Sequence, residues 1–241
     1  MTRFVGAASF NIVEGDPALR RRLLDWSLFH VEPGARALWA KLQRVHRQRN
    51  AWLRAGGAGK PIWDGPYATA LDAVWHKRSA FLARVNREFR EVTGALLPRG
   101  EVLLSLHWTG QSKDLHKTLA EQLPGDKERG YTFLSASRGD ISFSTSSGPW
   151  TGSRGENKLV GLLLQLAFQN VISSETGAEQ IALLDDPYAE VSSGHVNAVL
   201  WAWSRACQQL VVTSLEEHSP PTALAETSTL FHVKQGVLST S

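Results

Sequence analysis

The sequence predicts an α/β fold in two unequal parts, a lobe of long helices followed by a layer of alternating strands and helices. Two patterns and one charge division predict it. Up to about residue 97, apolar side chains recur at 3–4 spacing, the period of a helix with one buried face. From residue 101 onward, short β-like runs alternate with helical ones, the pattern of an α/β layer. Charge divides the chain as well. Residues 1–125 hold 19 Lys and Arg against 11 Asp and Glu, a net of +8, and residues 126–241 hold 7 against 12, a net of −5. The basic half is the candidate polyanion surface, with a solvated arginine-rich helix face as the plainer alternative.

The first helix begins in GDPALRRRLLDW, with Asp16 as N-cap and Pro17 at the first helical position. Leu19, Leu23 and Trp26 are expected to share its buried face. The second carries Leu38, Leu42, Val45 and Trp52, surrounded by Arg44, Arg47, Arg49 and Arg54. The third is expected over about 67–97, where Leu71, Val74, Phe81, Val85, Phe89 and Val92 keep the helical spacing. Each such side chain contributes roughly 1.5–3 kcal/mol when fully buried, so this face needs a partner helix. EVLLSLHW (101–108) then reads as a strand and DLHKTLAEQL as a short helix. GYTFLSA and DISFSTSS read as two strands around Arg138-Gly139. The apolar run LVGLLLQLAFQNV (159–171) is too short to span a bilayer and reads as a buried helix. IALLDD is a buried strand ending in two acids, residues 194–208 a helix, QQLVVTSL another buried strand and STLFHVKQGVLS a terminal hairpin.

Two stretches could carry chemistry. SRGENK (153–158) lies directly before the apolar helix, so Ser153, Arg154, Gly155 and Glu156 would present backbone N–H groups and a hydroxyl at a positive helix end, a place for phosphate. The same residues fit a capping box, Ser153 with Glu156, and spacing alone leaves both readings open. IALLDD (181–186) delivers Asp185 and Asp186 to the C-terminal end of a strand, where ligands sit in open α/β sheets. Asp185 could hold Mg2+ and Asp186 polarise a water, or the pair could be an acidic turn capping the next helix.

Taken in order, GYTFLSASRGDISFS, SRGENKLVGLLLQLA, IALLDDPYAEVS and QLVVTSL resemble the C-terminal lobe of the RecF recombination-repair family, relatives of ABC-type and SMC-like ATPase heads. EGDPALRRRLLDWSLFHVEPG and LWAKLQRVHRQRNAWLR resemble that family's helical lobe, so the resemblance runs over essentially the whole chain. It implies an incomplete P-loop NTPase head of ABC type with an inserted all-helical lobe. Residues 1–11 would be a remnant of the N-terminal ATPase lobe, 12–120 the helical lobe and 121–241 the C-terminal part of the head. It also implies that Ser153 and Gly155, with Arg154 and Glu156 in the same signature motif, contact the γ-phosphate of ATP held by a second subunit. Asp185 would be the Mg2+ ligand of a Walker B strand, Asp186 the water-polarising acid and PYAEVS the loop that follows. The implied setting is cytoplasmic. It comprises an ATP-dependent homodimer with weak DNA-dependent ATPase activity, binding to single-stranded and gapped double-stranded DNA, help to RecO and RecR in loading RecA, and a part in the SOS response. The basic clusters Arg20, Arg21, Arg22 and Arg44, Arg47, Arg49 are the expected DNA contacts.

The sequence departs from the family's pattern. GGAGKP (56–61) is the only glycine-rich run ending in lysine, yet G-x-x-x-x-G-K-[ST] needs glycine where Arg54 stands and Ser or Thr where Pro61 stands. It is expected to be the loop between the second and third helices. The chain therefore reads as a piece of a longer ATP-dependent DNA clamp, as a nucleotide-independent module that binds DNA or a partner, or as a structural interaction protein in which Asp185 and Asp186 are relics. Glu156 replaces the signature's usual glutamine, and a carboxylate there repels a phosphate unless it is protonated or turned away. One cysteine, Cys207, excludes an internal disulfide and a Cys-rich zinc site, and the histidines show no metal-ligand spacing. MTRFVGAASF lacks the long apolar core of a signal peptide. Trp52 and Trp63, near basic residues, are the tryptophans to test as base-stacking platforms.

Overall fold

The computed structural model describes residues 1–108, 114–216 and 218–240. Its elements run β1 (Thr2–Val5), α1 (Ala7–Phe10), α2 (Pro17–Val31), α3 (Ala35–Arg54), α4 (Asp64–Leu96), β2 (Leu103–Trp108), α5 (Leu115–Arg129), β3 (Gly139–Thr145), β4 (Gly148–Pro149), α6 (Arg154–Thr176), β5 (Ile181–Asp185), α7 (Ser193–Ala206), β6 (Gln209–Thr213), β7 (Phe231–Lys234) and β8 (Val237–Thr240).

Asp16 caps α2 as the sequence predicts, its carboxylate accepting from Ala18 N at 2.7 Å, with Pro17 at the first position. The buried face of α2 is rotated from the expected one. It consists of Arg20, Leu24, Ser27 and Leu28, while Leu19, Leu23 and Trp26 are only partly covered. α4 spans both cores. Its first half, from Tyr67 to Trp75, packs with Leu42 and Val45 of α3 and with Leu115 and Leu119 of α5. Its second half, through Phe81, Val85 and Phe89, packs on Phe168 and its neighbours in α6. α6 is buried on every side from Asn157 to Gln169, which is why its sequence is apolar without a helical period.

A parallel sheet in the order β1-β5-β6 lies against α6 and α7. Its register aligns Phe4, Leu183 and Val211 in one row. That row faces away from the helices, with Phe4 64% and Val211 41% exposed. β6 is therefore half-covered on one face only, not the fully buried strand its apolar run predicts. The antiparallel sheet β2-β3-β4 packs Leu104, Ile141 and Phe143 into the main core. GYTFLSA is not a strand: residues 130–135 carry no ladder, and a 3-10 turn at Ala136–Arg138 leads into β3. Its backbone is satisfied instead by side chains. Phe133 N donates to Asp126 Oδ1, Thr132 N to Asn50 Oδ1, and the Tyr67 hydroxyl to Leu134 O. The terminal hairpin forms as β7 and β8, exposed throughout.

Among the described residues, no helix is long and apolar enough to cross a membrane.

Candidate functional site

The residues at the start of α6 and the end of β5 lie side by side. Ser153 takes an extended conformation and caps α6, its Oγ accepting from Glu156 N at 3.3 Å while Glu156 Oε2 accepts from Ser153 N at 2.8 Å. The capping box is formed, and it turns Glu156 back on its own helix. The Ser153 N–H, then Arg99 at 3.6 Å, holds the Glu156 carboxyl below the ordinary glutamate range. Glu156 is thus held in its charged form and bonded back to the start of its own helix.

β5 ends at Asp185, exposed at the strand's C-terminal edge. The neighbouring strand orients it: the Thr213 hydroxyl donates to Asp185 Oδ1 at 2.6 Å, and Asp186 N donates to Thr213 O at 3.1 Å. Asp186 sits at φ 52°, a left-handed conformation that is uncommon outside glycine, so the chain turns sharply as it leaves the strand. Asp185, oriented by Thr213, is the group able to hold Mg2+, which takes one or two protein carboxylates and keeps its remaining oxygens from water and phosphate. Among the described residues, no group of three or more His, Cys, Asp or Glu forms a self-sufficient metal cage.

Lys158 joins the two motifs. Its side chain runs back from the first turns of α6 and donates to Asp186 O and Ala189 O, both at 2.8 Å, with the ammonium 4.6 Å from the Phe10 ring centroid. Burial lowers its pKa, and Asp186 and Glu190 oppose that shift. Gly155 supplies a second contact. A Cβ there would lie 2.6 Å from Glu190 O, so only glycine lets the helix start approach the loop. Arg154 closes the seam with an ion pair to Glu190 at 3.2 Å. A cleft of about 180 Å3 opens beside this seam, lined by Leu97, Trp150, Leu159 and Val191 among others. It is smaller than the roughly 300–1,000 Å3 of small-molecule pockets, so it does not enclose a nucleotide.

The basic clusters separate into two kinds. Arg20 is buried and clamps the fold, pairing with Asp140 at 2.7 and 2.8 Å and donating to Ile12 O, Val13 O and Gly15 O. Arg49 is fully buried between Asp64 and Asp126, both at 2.8 Å, and donates to Thr132 Oγ1 at 2.6 Å. These two, expected as DNA contacts, have their guanidinium groups committed to internal carboxylates and offer no charge to a ligand. Arg21 is half-buried and donates to Gly139 O at 2.8 Å. Arg22, Arg44 and Arg47 are exposed and have no ion pair among the described residues. Helical spacing alone did not separate Arg47 from Arg49. The acids that bury Arg49 come from α4 and α5, far along the chain.

GGAGKP forms the loop between α3 and α4, as expected. Gly57 lies against the Lys127 side chain of α5, and the loop is no part of the Ser153–Asp185 seam. Sequence reasoning missed Lys158 and Thr213. Lys158 was inside the quoted motif but carried no expected role, and Thr213 closes the apolar strand after IALLDD.

A parallel sheet backed by a buried helix, with that helix's capped start locked to the loop after an acid-tipped strand, makes up part of an α/β head of P-loop-type fold carrying a helical lobe. No family model matches the chain. It is 31% identical over 244 residues to the DNA replication and repair protein RecF of Pseudomonas fluorescens strain SBW25, and 30% identical over 247 residues to that of Pseudomonas syringae pv. syringae. Each match covers 97% of this chain and 66% of the relative, so the chain spans about two thirds of the length of these curated relatives. Among solved structures, the recombination mediator protein RecF with ATP superposes with a TM-score of 0.79 at 16% identity, covering 100% of this chain and 67% of that one. The chain belongs to the RecF family.

Proposed function

We propose that this chain works in DNA replication and recombinational repair as part of an ATP-dependent clamp that engages single-stranded and gapped DNA and assists RecO- and RecR-type partners in loading RecA. The observation that carries the reading is the seam between α6 and the β5 loop, where Lys158 and Gly155 couple a capped helix start to an acid pair. In this reading Asp185 holds Mg2+, Asp186 polarises water, and Ser153 and Gly155 face the γ-phosphate of a nucleotide held by a second subunit. The nucleotide supplies the binding energy that joins two heads, and the chain's own groups set its geometry. DNA lies on the exposed cations of the helical lobe, Arg22, Arg44 and Arg47.

The test is sedimentation velocity with and without Mg-ATP, on this chain and on the chain joined to a RecF first lobe that carries a phosphate loop. The expected result is poor ATP binding by the 241-residue chain alone, because G-x-x-x-x-G-K-[ST] does not occur in it, and an ATP-dependent dimer in the joined protein. Loss of that dimer on Asp185→Asn supports the reading, and a joined protein that stays monomeric at saturating Mg-ATP refutes it. A second reading, a nucleotide-independent DNA- or partner-binding module, is favoured by the missing loop pattern. DNA binding by the 241-residue chain without nucleotide that is as tight as that of the joined protein with Mg-ATP would select it.

A further inference from the structure

Residues 33–63 contain no Asp or Glu and seven Lys and Arg. Arg49 alone of these is buried. On α3, Arg36, Arg47 and Arg54 fall within about 20° of one line along the helix, opposite the buried Leu42, Val45 and Leu53. That line is about 27 Å long at 1.5 Å per residue. None of its three arginines has an ion pair among the described residues. The line ends at Arg54, which lies against Gly130, a Cβ built there meeting the Arg54 side chain at 3.7 Å.

Beyond Gly130 the surface changes character. In the bent segment after α5, Thr132 and Leu134 are buried, while Tyr131 is exposed and Phe133 partly so. Tyr131 is 45% exposed. Cations alternate with these rings. The Arg129 guanidinium is 5.9 Å from the Tyr131 centroid and 5.3 Å from that of Phe133, Arg138 stacks 3.8 Å from Phe133, and Lys127 lies 5.4 Å from Trp52. The segment is fixed from below, because Asp126 accepts from both Phe133 N and Arg49 and the Tyr67 hydroxyl donates to Leu134 O. Arg129 is also paired with Asp126 at 2.8 Å and Arg138 Nε donates to Phe133 O, so these two cations hold the rings in place. A strip that shows the exposed Tyr131 ring to solvent, at the end of a row of cations with no ion pair among the described residues, presents what an unpaired nucleic-acid strand binds: charge for its phosphates and a flat surface for its bases.

We infer that the 130–138 segment is a base-stacking platform for a single strand, with Tyr131 receiving a base and Arg36, Arg47 and Arg54 guiding the phosphates toward it. This rests on the DNA-binding reading above but is separable from it, since duplex binding needs the cations and not the rings.

The test is fluorescence anisotropy on the intact chain with three probes of equal length, about 20 residues each: labelled oligothymidylate, the same backbone without bases, and duplex DNA. The wild type should bind oligothymidylate more tightly than the abasic strand. Tyr131→Ala should weaken oligothymidylate about tenfold, leave the abasic strand and the duplex unchanged, and be rescued by Tyr131→Phe. Equal affinity for the abasic strand, or no effect of Tyr131→Ala, overturns the platform while duplex binding leaves the broader reading intact. If none of the three probes binds and a polyglutamate peptide does, the surface takes an acidic protein segment and both readings fall.

Discussion

Replacing Lys158 with methionine removes the amine that ties α6 to the loop after the acid pair while keeping a stem that can pack on Phe10. The two lost hydrogen bonds, each 2.8 Å and charge-assisted, are worth about 1.5–3 kcal/mol apiece in general. Two effects reduce that sum here. Burial already lowers the lysine pKa, so the charged form sits in the site at a cost, and the loop is near enough to solvent for water to reach the freed carbonyls. The net local loss is set at about 2 kcal/mol, which corresponds to about 30-fold faster opening of the loop. Native-state hydrogen exchange reads this directly at Asp186 N, which donates to Thr213 O at 3.1 Å, and at Val191 N, which donates to Tyr188 O at 3.2 Å. Both amides should exchange about 30-fold faster in Lys158→Met, with amides of α3 and α5 unchanged. If Asp186 and Val191 keep wild-type protection in the folded variant, the seam is not held by Lys158. If every amide loosens equally, the residue serves global stability rather than the position of the loop.

Arg49 and Arg47 stand two residues apart and should behave oppositely. Arg49→Met leaves the fully buried Asp126 with Arg129 and the Phe133 N–H and removes the partner it shares with Asp64, and should cost about 3 kcal/mol by urea denaturation. Arg47→Gln should stay within about 0.5 kcal/mol, yet weaken duplex binding and flatten its log-log salt slope by about 0.9 if Arg47 contacts one phosphate. Acid stability should fall in two stages. Burial, then Arg49, holds His46 below 6.5, so the unfolded chain takes up its proton first, and stability present above that pH is lost as pH falls through it toward the folded value. Lys77 and Arg84 hold Glu32 below its ordinary 4.5, and its contribution, full above 4.5, is lost at lower pH. His46→Gln should abolish the first stage and leave the second, as read from urea midpoints between about pH 8 and pH 2.

The sequence alone determined what local chemistry dictates. The Asp16–Pro17 start of α2, the long helices, the IALLDD strand and the loop role of GGAGKP all follow from spacing, capping and turn residues, and the structure contains each of them. The motif order also carried the family. Tertiary structure decided what depends on partners distant in the chain. It separated buried Arg20 and Arg49 from exposed Arg22 and Arg47, because Asp140, Asp64 and Asp126 arrive from other elements. It denied GYTFLSA a strand, because Asp126, Asn50 and Tyr67 satisfy that backbone without a ladder. Lys158 and Gly155 gained their roles only when the loop after Asp186 folded back onto α6. A side chain's type limits the bonds it is able to make, but which carbonyl or carboxylate lies within 3 Å is a property of the packed molecule.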